Sequence, residues 1–268
     1  MLLFPNSKIN LGLNVLEKRS DGYHNIETLF YPVGLCDALE IIIATDGKSE
    51  FFHSGITIDG IPEDNLCVKA CKLIANDHKL PPLKVHLHKA IPIGAGLGGG
   101  SSDAAFTIKL LNQLFALGMP VTTMQEFARK LGSDCAFFIE NKPVFATGIG
   151  DQFEPFKIDL STYTILIVVP PIPVNTGNAY ASVVPVKTPL SLKDHIHKPV
   201  SQWWDVVKNE FEESVFAQHP KIRQIKQQLY ELGAVYASMS GSGSAVYGLF
   251  EKKGIPLGSF SGCFVWVQ

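Results

Sequence analysis

Pro92-Ile93-Gly94-Ala95-Gly96-Leu97-Gly98-Gly99-Gly100-Ser101-Ser102-Asp103-Ala104-Ala105 is the stretch around which the chain is organised. Five glycines fall within the seven residues 94–100, and two hydroxyls follow them. A helical pattern of apolar residues then runs through Ala105, Ile108, Leu111, Leu114 and Phe115. Glycine takes positive φ without strain and lets an anion approach the backbone. The start of a helix adds unpaired N–H groups and the positive end of its dipole. The stretch therefore predicts a phosphate cradle, with Ser101 or Ser102 capping the helix or touching a phosphate. A plain strand-to-helix turn is the alternative, but one or two glycines suffice for that.

Two nucleotide-binding patterns come near this stretch. A Walker-type loop ends in Gly-Lys-Ser/Thr, whereas these glycines run into Ser-Ser; Gly47-Lys48-Ser49 has Ile42 where the upstream glycine belongs, so it is a chance match in a turn. Gly94, Gly96 and Gly99 do satisfy G-x-G-x-x-G after a strand-like segment at 83–89, which keeps a nicotinamide-dependent oxidoreductase in play. The acid that would bind the ribose is missing, since the next acid after Asp103 is Glu126, inside another helical pattern.

With 268 residues, 46% hydrophobic and 18% charged, the chain has the composition of one large or two ordinary globular domains. A net charge of -2 argues against a broad nucleic-acid or membrane surface. Five cysteines without CxxC spacing indicate neither a disulfide framework nor a zinc site, and fit a reducing compartment. The first residues lack the pattern of a signal peptide, and the apolar run 165–174 is proline-broken and too short to span a bilayer. A cytoplasmic protein is expected.

Along the chain, residues 7–16 alternate, with Ile9, Leu11, Leu13 and Val15 on one face and Lys8, Asn10, Gly12 and Asn14 on the other. This is a half-buried strand whose polar face is either a ligand floor or, on this segment alone, a solvated edge. Arg19-Ser20-Asp21-Gly22-Tyr23-His24 is a turn presenting an aromatic ring beside an imidazole, suited to a flat heterocycle or to a packed pair. Strands are predicted at 28–33, 39–44, 50–52 and 83–89, and a helix at 65–77, capped by Asp64, with Leu66, Ala70, Leu73 and Ile74 inward. Thr122 or Thr123 caps a further helix to Leu131. Asp134 then stands between a helix stop and an apolar run, as an N-cap or as a functional carboxylate. A compositional shift at 151–161 suggests a boundary between domains 1–155 and 156–268. Weakly periodic 187–204, helices at 205–216 and 220–232, and strands at 143–146, 163–169, 235–239, 245–250 and 263–267 complete the pattern. The small-residue loop Ser240-Gly241-Ser242-Gly243-Ser244 is a hairpin turn or a second wall of the phosphate site.

Pro5-Asn6-Ser7-Lys8-Ile9-Asn10-Leu11, the glycine loop, Gly132-Ser133-Asp134 and the Gly241 loop, in this order, resemble the GHMP kinase superfamily over nearly the whole chain. The resemblance implies an α+β, two-domain GHMP kinase fold, with a ribosomal-protein-S5-like α/β N-terminal domain and a ferredoxin-like α+β C-terminal domain. It implies an ATP-dependent small-molecule kinase using Mg2+. Asp134 would be general base with Lys8 beside it. ATP would be held by Pro92, Ile93, Gly94, Ala95, Gly96, Leu97, Gly98, Gly99, Gly100, Ser101 and Ser102, with Asn65 and Leu66 at the adenine. Because Asp21-Gly22-Tyr23-His24 resembles a cytidine-recognition segment, the implied partner is a small cytidyl diphosphate substrate. Its 2-hydroxyl, on a methylerythritol unit, would be phosphorylated in non-mevalonate isoprenoid biosynthesis. Asn10, Tyr23, His24, Thr176, Tyr180, Gly241 and Ser242 would contact that substrate. Two positions depart from the family pattern: Cys135-Ala136 follows Asp134 where proline is common two residues on, and Tyr180 replaces phenylalanine. The implied state is a monomer or weak homodimer without nucleic acid or membrane. A homoserine- or mevalonate-type kinase, or a nucleotide-binding module without turnover, are the rival readings.

Overall fold

The computed structural model describes residues 1–183, 185, 191–251 and 257–268. In chain order its strands are β1 Leu2–Leu3, β2 Asn6–Lys18, β3 His24–Cys36, β4 Ala38–Ile43, β5 Glu50–Gly55, β6 Leu83–Lys89, β7 Val144–Thr147, β8 Gln152–Pro155, β9 Thr164–Val169, β10 Tyr236–Met239, β11 Val246–Phe250 and β12 Phe264–Val267. The helices are α1 Leu66–Asp77, α2 Gly99–Leu114, α3 Val121–Arg129, α4 Phe137–Glu140, α5 Thr176–Ser182, α6 Leu192–Ile196, α7 Phe211–Gln218 and α8 Pro220–Glu231. The mixture is the α+β class anticipated from the sequence. Among the described residues no helix is long and apolar enough to cross a membrane.

The chain forms two compact units. The first comprises Met1–Ser7, Gly34–Ile93 and Gly98–Lys142; the second comprises Lys8–Val33, Gly94–Leu97 and Pro143–Gln268.

In the first unit, four strands form a sheet in the order β1-β4-β6-β5, antiparallel except for the β5–β6 pair. Alternation along β6 turns Leu83, Val85 and Leu87 inward, and the same register carries Lys89 inward with them. Helices α1 and α2 pack on each other, α1 burying Cys67, Ala70 and Ile74, and α2 burying Ala104, Ala105, Ile108 and Leu111. The inward face of α1 is thus set by Cys67 rather than by Leu66 and Leu73. Its cap is Asn65, whose side chain accepts from the Cys67 N–H at 2.8 Å, because Asp64 is taken up in a 3-10 turn at Pro62–Asp64. Helix α3 follows Pro120, which has no capping side chain, so neither Thr122 nor Thr123 is its cap.

In the second unit, β2-β3-β7-β8 form one sheet and β10-β11-β9-β12 another. Strand β2 is buried on both faces: Lys8 is 3% and Asn10 2% exposed. The solvated-edge alternative therefore fails, because the polar side chains satisfy one another out of water. The outer edge of β2 is occupied as well. Leu13 receives the chain at 208–210, donating to Lys208 O at 2.8 Å and accepting from Glu210 N at 2.9 Å. The helix expected over 205–216 begins only at Phe211, because Val206 and Val207 turn back on Trp203 and Asn209 bridges Leu13 of β2. Buried Glu27 on β3 accepts from Asn14, Ser191 and the Leu192 N–H, tying α6 to the same sheet. Helices α7 and α8 pack together, and α8 covers β10 and β11. The core there is built from Leu166, Val168, Val246, Ile222, Ile225 and Leu229. Of the weakly periodic stretch 187–204, residues 187–190 lie outside the described residues, and the remainder contains α6 and a 3-10 turn at Val200–Gln202.

Candidate active site

The glycine loop has an alternating backbone. Gly94, Gly96 and Gly98 have φ of +66°, +77° and +71°, while Ala95 and Leu97 between them are buried at 3% and 1% exposure. The side chains at 95 and 97 anchor the loop, and the glycines supply a conformation that L side chains rarely take. Three successive carbonyls are held: Ala95 O accepts from Ala245 N at 3.0 Å, Gly96 O from Ser240 Oγ at 2.8 Å, and Leu97 O from Lys8 N at 2.9 Å. With the carbonyls turned to protein donors, the amides of 94–98 donate to no protein acceptor among the described residues. Such a row of amides is suited to an anion.

Helix α2 starts inside the glycine run. Its N-cap is Gly98, in the left-handed region, and no side chain caps it. Ser101 and Ser102 therefore sit in the first turn, so neither is the capping residue. The Ser102 hydroxyl is fully buried and has no hydrogen-bond partner among the described residues. Pro92 is half-buried and Ile93 exposed ahead of the loop, while Gly99 is buried and Gly100 exposed after it. Asn65 and Leu66 are at the start of α1, and Leu66 Cδ1 lies 3.8 Å from where a Cβ on Gly100 would be. Asp134 lies in the turn before α4, half-buried. The cap of α4 is Ala136, so the N-cap alternative for Asp134 does not hold. Burial of the following Cys135 pushes its thiol up to about 11, which leaves it a packed, unreactive side chain.

The second unit brings several predicted residues together. Lys8 Nζ donates to Asn10 Oδ1 at 2.6 Å, and Asn10 Nδ2 donates to Thr28 Oγ1 at 2.9 Å. The Lys8 ammonium also lies 4.8 Å from the centre of the Phe30 ring. The loop 240–244 turns the antiparallel β10–β11 hairpin, and Ser240 at its start also touches the glycine loop. A Cβ on Gly96 would stand 2.0 Å from Ser240 O, which explains why a glycine is needed there. Ser242 Oγ meets Thr176 Oγ1 at 2.9 Å at the start of α5.

The aromatic group is also assembled. His24 stacks on Tyr180 at 5.0 Å with 22° between the rings, and Tyr180 meets Phe211 edge-on at 4.7 Å. Tyr23 is 61% exposed. Burial, with a smaller contribution from Lys18, holds the His24 imidazole below its usual pKa and favours the neutral ring. Sequence reasoning passed over Asn209, whose amide donates at 2.8 Å to both Met239 O and Gly241 O and fixes the hairpin loop. It also passed over Asp37 and Lys89, although the alternation of Leu83, Val85 and Leu87 already assigns Lys89 to a buried face. Among the described residues no group of three or more His, Cys, Asp or Glu is placed to hold a metal.

The sequence profile of the GHMP kinases N terminal domain matches residues 65–142, and that of the GHMP kinases C terminal matches residues 197–255. A protein of Azobacteroides pseudotrichonymphae named 4-diphosphocytidyl-2-C-methyl-D-erythritol kinase is 52% identical over 262 residues, 97% of each chain. One of the same name from Bacteroides thetaiotaomicron is 54% identical over 95% of this chain and 93% of its own. The crystal structure of a 4-(cytidine 5'-diphospho)-2C-methyl-D-erythritol kinase superposes with a TM-score of 0.84 at 28% identity, covering 100% of this chain and 98% of the other. At this identity and coverage, the chain belongs to the GHMP kinase family, in the group whose members are named 4-diphosphocytidyl-2-C-methyl-D-erythritol kinase.

Proposed function

We propose that the chain transfers the γ-phosphoryl group of ATP to the 2-hydroxyl of 4-diphosphocytidyl-2-C-methyl-D-erythritol, a step of non-mevalonate isoprenoid biosynthesis. The observation that carries this reading is identity above one half, over nearly the full length, to relatives that bear that kinase's name. The glycine loop with its outward amides and the rings of Tyr23, His24 and Tyr180 support it independently. One is chemistry for a polyphosphate and the other for a nucleobase. The same membership leaves the nicotinamide-dependent reading without support.

Phosphoryl transfer asks for positioning and charge stabilisation more than for covalent chemistry. Asp134 is assigned as the base that takes the proton of the attacking hydroxyl, and Lys8 as the cation that stabilises the developing alkoxide. Asn10 holds the Lys8 ammonium and orients the substrate. The amides of 94–98 and the start of α2 receive the ATP phosphates, with Ser101 on the first turn. Asn65 and Leu66 are assigned to the adenine. Tyr23, His24, Thr176 and Tyr180 are assigned to the cytosine, with Gly241 and Ser242 on the remainder of that substrate. Magnesium is the expected companion of ATP, and the buried, unpartnered Ser102 hydroxyl fits a metal ligated mainly by phosphate oxygens and water. When bound, the metal would neutralise phosphate charge.

Residues 1–155 are assigned as the ATP-binding and catalytic domain, and 156–268 as the C-terminal domain. The protein is taken to work in the cytoplasm as a monomer or weak homodimer, without nucleic acid or membrane; the five free cysteines support a reducing compartment. The test is ADP release with Mg-ATP and 4-diphosphocytidyl-2-C-methylerythritol, run beside homoserine and mevalonate. Turnover confined to the cytidyl compound is the expected result. Turnover of another acceptor alone would refute the nucleobase assignment, and no turnover with any would leave a nucleotide-binding module.

A further inference from the structure

We propose that Lys89, held between Asp37 and Asp103, is a positioning residue that fixes the two ends of the phosphate loop. The inference rests on reading the glycine loop as the ATP-phosphate site. All three side chains are nearly buried, Asp37 at 1%, Lys89 at 4% and Asp103 at 3% exposure. The Lys89 ammonium donates to Asp37 Oδ2 and, at 2.8 Å, to Asp103 Oδ2.

The backbone that these groups tie down makes the cluster more than a core ion pair. Asp37 Oδ1 accepts from the N–H groups of Ala90 and Ile91 at 2.6 and 2.8 Å, which fixes the chain where it leaves β6 for the glycine loop. Asp103 belongs to α2, where the chain leaves that loop. One ammonium thus spans from the loop's entry to its exit. The contact is tight on the exit side, since a Cβ on Gly99 would lie 2.9 Å from Lys89 Nζ and 2.9 Å from Ile91 Cγ2. Gly99 has no need of positive φ; it is glycine so that the first turn of α2 can close on the Lys89–Ile91 ridge. A loop of alternating positive-φ glycines has little intrinsic rigidity. The distance between its ends therefore decides how its amides are presented.

Two carboxylates around one ammonium are an unusual arrangement for stability alone. Asp103 Oδ1 is buried without a hydrogen-bond partner among the described residues. An aliphatic trio of the same volume would avoid that desolvation cost. What the charged trio supplies is directionality: four hydrogen bonds fix the strand exit and the helix start in one register.

The test uses Asp103→Asn, which keeps the shape and removes one charge-assisted bond, and Gly99→Ala, which wedges the same contact. Three readouts are taken on the full chain. Titration calorimetry with ATP and ADP should give affinities weakened about tenfold, the size expected for one lost charge-assisted hydrogen bond. Adenosine and cytidine affinities, followed by ligand-observed NMR, should be unchanged. Amide hydrogen exchange over 90–103 should accelerate relative to the parent, while exchange in β9 and β11 stays as it was. Equal weakening of ATP and adenosine, unchanged ATP affinity, or exchange that rises everywhere would overturn the proposal. A parent protein that binds no ATP would overturn the functional reading, and the exchange measurement would still decide whether the cluster holds the loop ends.

Discussion

Lys8 and Asn10 are joined side chain to side chain on a buried strand face, the ammonium donating to the amide oxygen at 2.6 Å. The Asn10 amide in turn donates to Thr28, whose hydroxyl donates to Gly12 O at 2.6 Å. Such a chain fixes where the Lys8 charge stands before any substrate arrives. Asn10→Leu removes an acceptor of that ammonium and leaves Thr28 one donor short. Stability should fall by about 1–3 kcal/mol, the cost of unsatisfied buried polar groups. Turnover should fall on the order of 100-fold, the weight of a positioned catalytic group. Urea denaturation and steady-state kinetics check the two numbers, and a full-rate variant would remove Asn10 from substrate positioning.

Asp134→Asn is expected to separate chemistry from binding. An amide cannot take the hydroxyl proton, so kcat should drop by about 10²–10⁴-fold. Asp134 stands in its own turn outside the glycine loop, so ATP affinity should stay close to the parent's. A matching loss of ATP affinity would mean that the carboxylate serves nucleotide binding instead.

The glycines of the loop are not interchangeable. Gly94 and Gly96 share a positive φ, and either alanine variant carries a backbone penalty of about 1–2 kcal/mol. Only at position 96 does the new methyl meet backbone, 2.0 Å from Ser240 O, while at 94 it meets nothing within 4 Å. Gly96→Ala should therefore abolish measurable ATP binding and lower the melting temperature, and Gly94→Ala should show only the strain. Similar losses in the two variants, measured by calorimetry with ATP, would mean that the contact with the 240–244 loop is unimportant.

Much of this architecture can be derived from residue patterns, and the failures have a common origin. Alternation over 7–16 predicts β2 correctly but says nothing of what lies on its polar side, so Lys8 and Asn10 read as solvated until the chain around them is seen. Helix caps slip by a residue or more because the competition among Asp64, Asn65, Gly98 and Ser101 is decided by backbone geometry that composition does not encode. The stretch 205–210 has helical periodicity, yet a turn closed on Trp203 and the bridge from Asn209 to Leu13 replace the helix there. The trio of Asp37, Lys89 and Asp103 is spread over 67 residues of sequence, and only the inward register of β6 hints at it. The roles proposed for Asp134 and Tyr180 rest on family resemblance, since local sequence permits several functions for each.

The nucleobase assignment is tested at Tyr180 and His24. Tyr180→Phe keeps the ring that stacks on His24 and should bind cytidine nucleotides as the parent does, whereas Tyr180→Ala should weaken them up to about tenfold, the weight of one aromatic stack. Burial keeps His24 neutral below its usual value of 6.5. A depressed histidine resists the proton that the unfolded chain accepts, so its contribution to stability is complete above 6.5 and is lost as the pH falls through the folded value. Cytidine affinity should accordingly hold from pH 8 down to 6.5 and decline on the acid side. A His24→Gln variant with the same acid decline would place the titrating group elsewhere.

Asp103 titrates in the opposite sense to an ordinary carboxylate of a folded protein. Burial first, and Asp37 beside it, outweigh the Lys89 ammonium and raise it from 3.8 to about 7. Between those values the folded protein holds a proton that the unfolded chain has released, so this group's contribution to stability is greatest at low pH and is lost as pH rises to about 7. Asn at this position cannot ionise and has no such slope. The melting-temperature difference between parent and Asp103→Asn should therefore shift in favour of the variant from pH 5 to about pH 7 and level off above it. A difference that stayed constant over that range would mean that the Asp103 carboxyl keeps one protonation state throughout and that Lys89 fully compensates its burial.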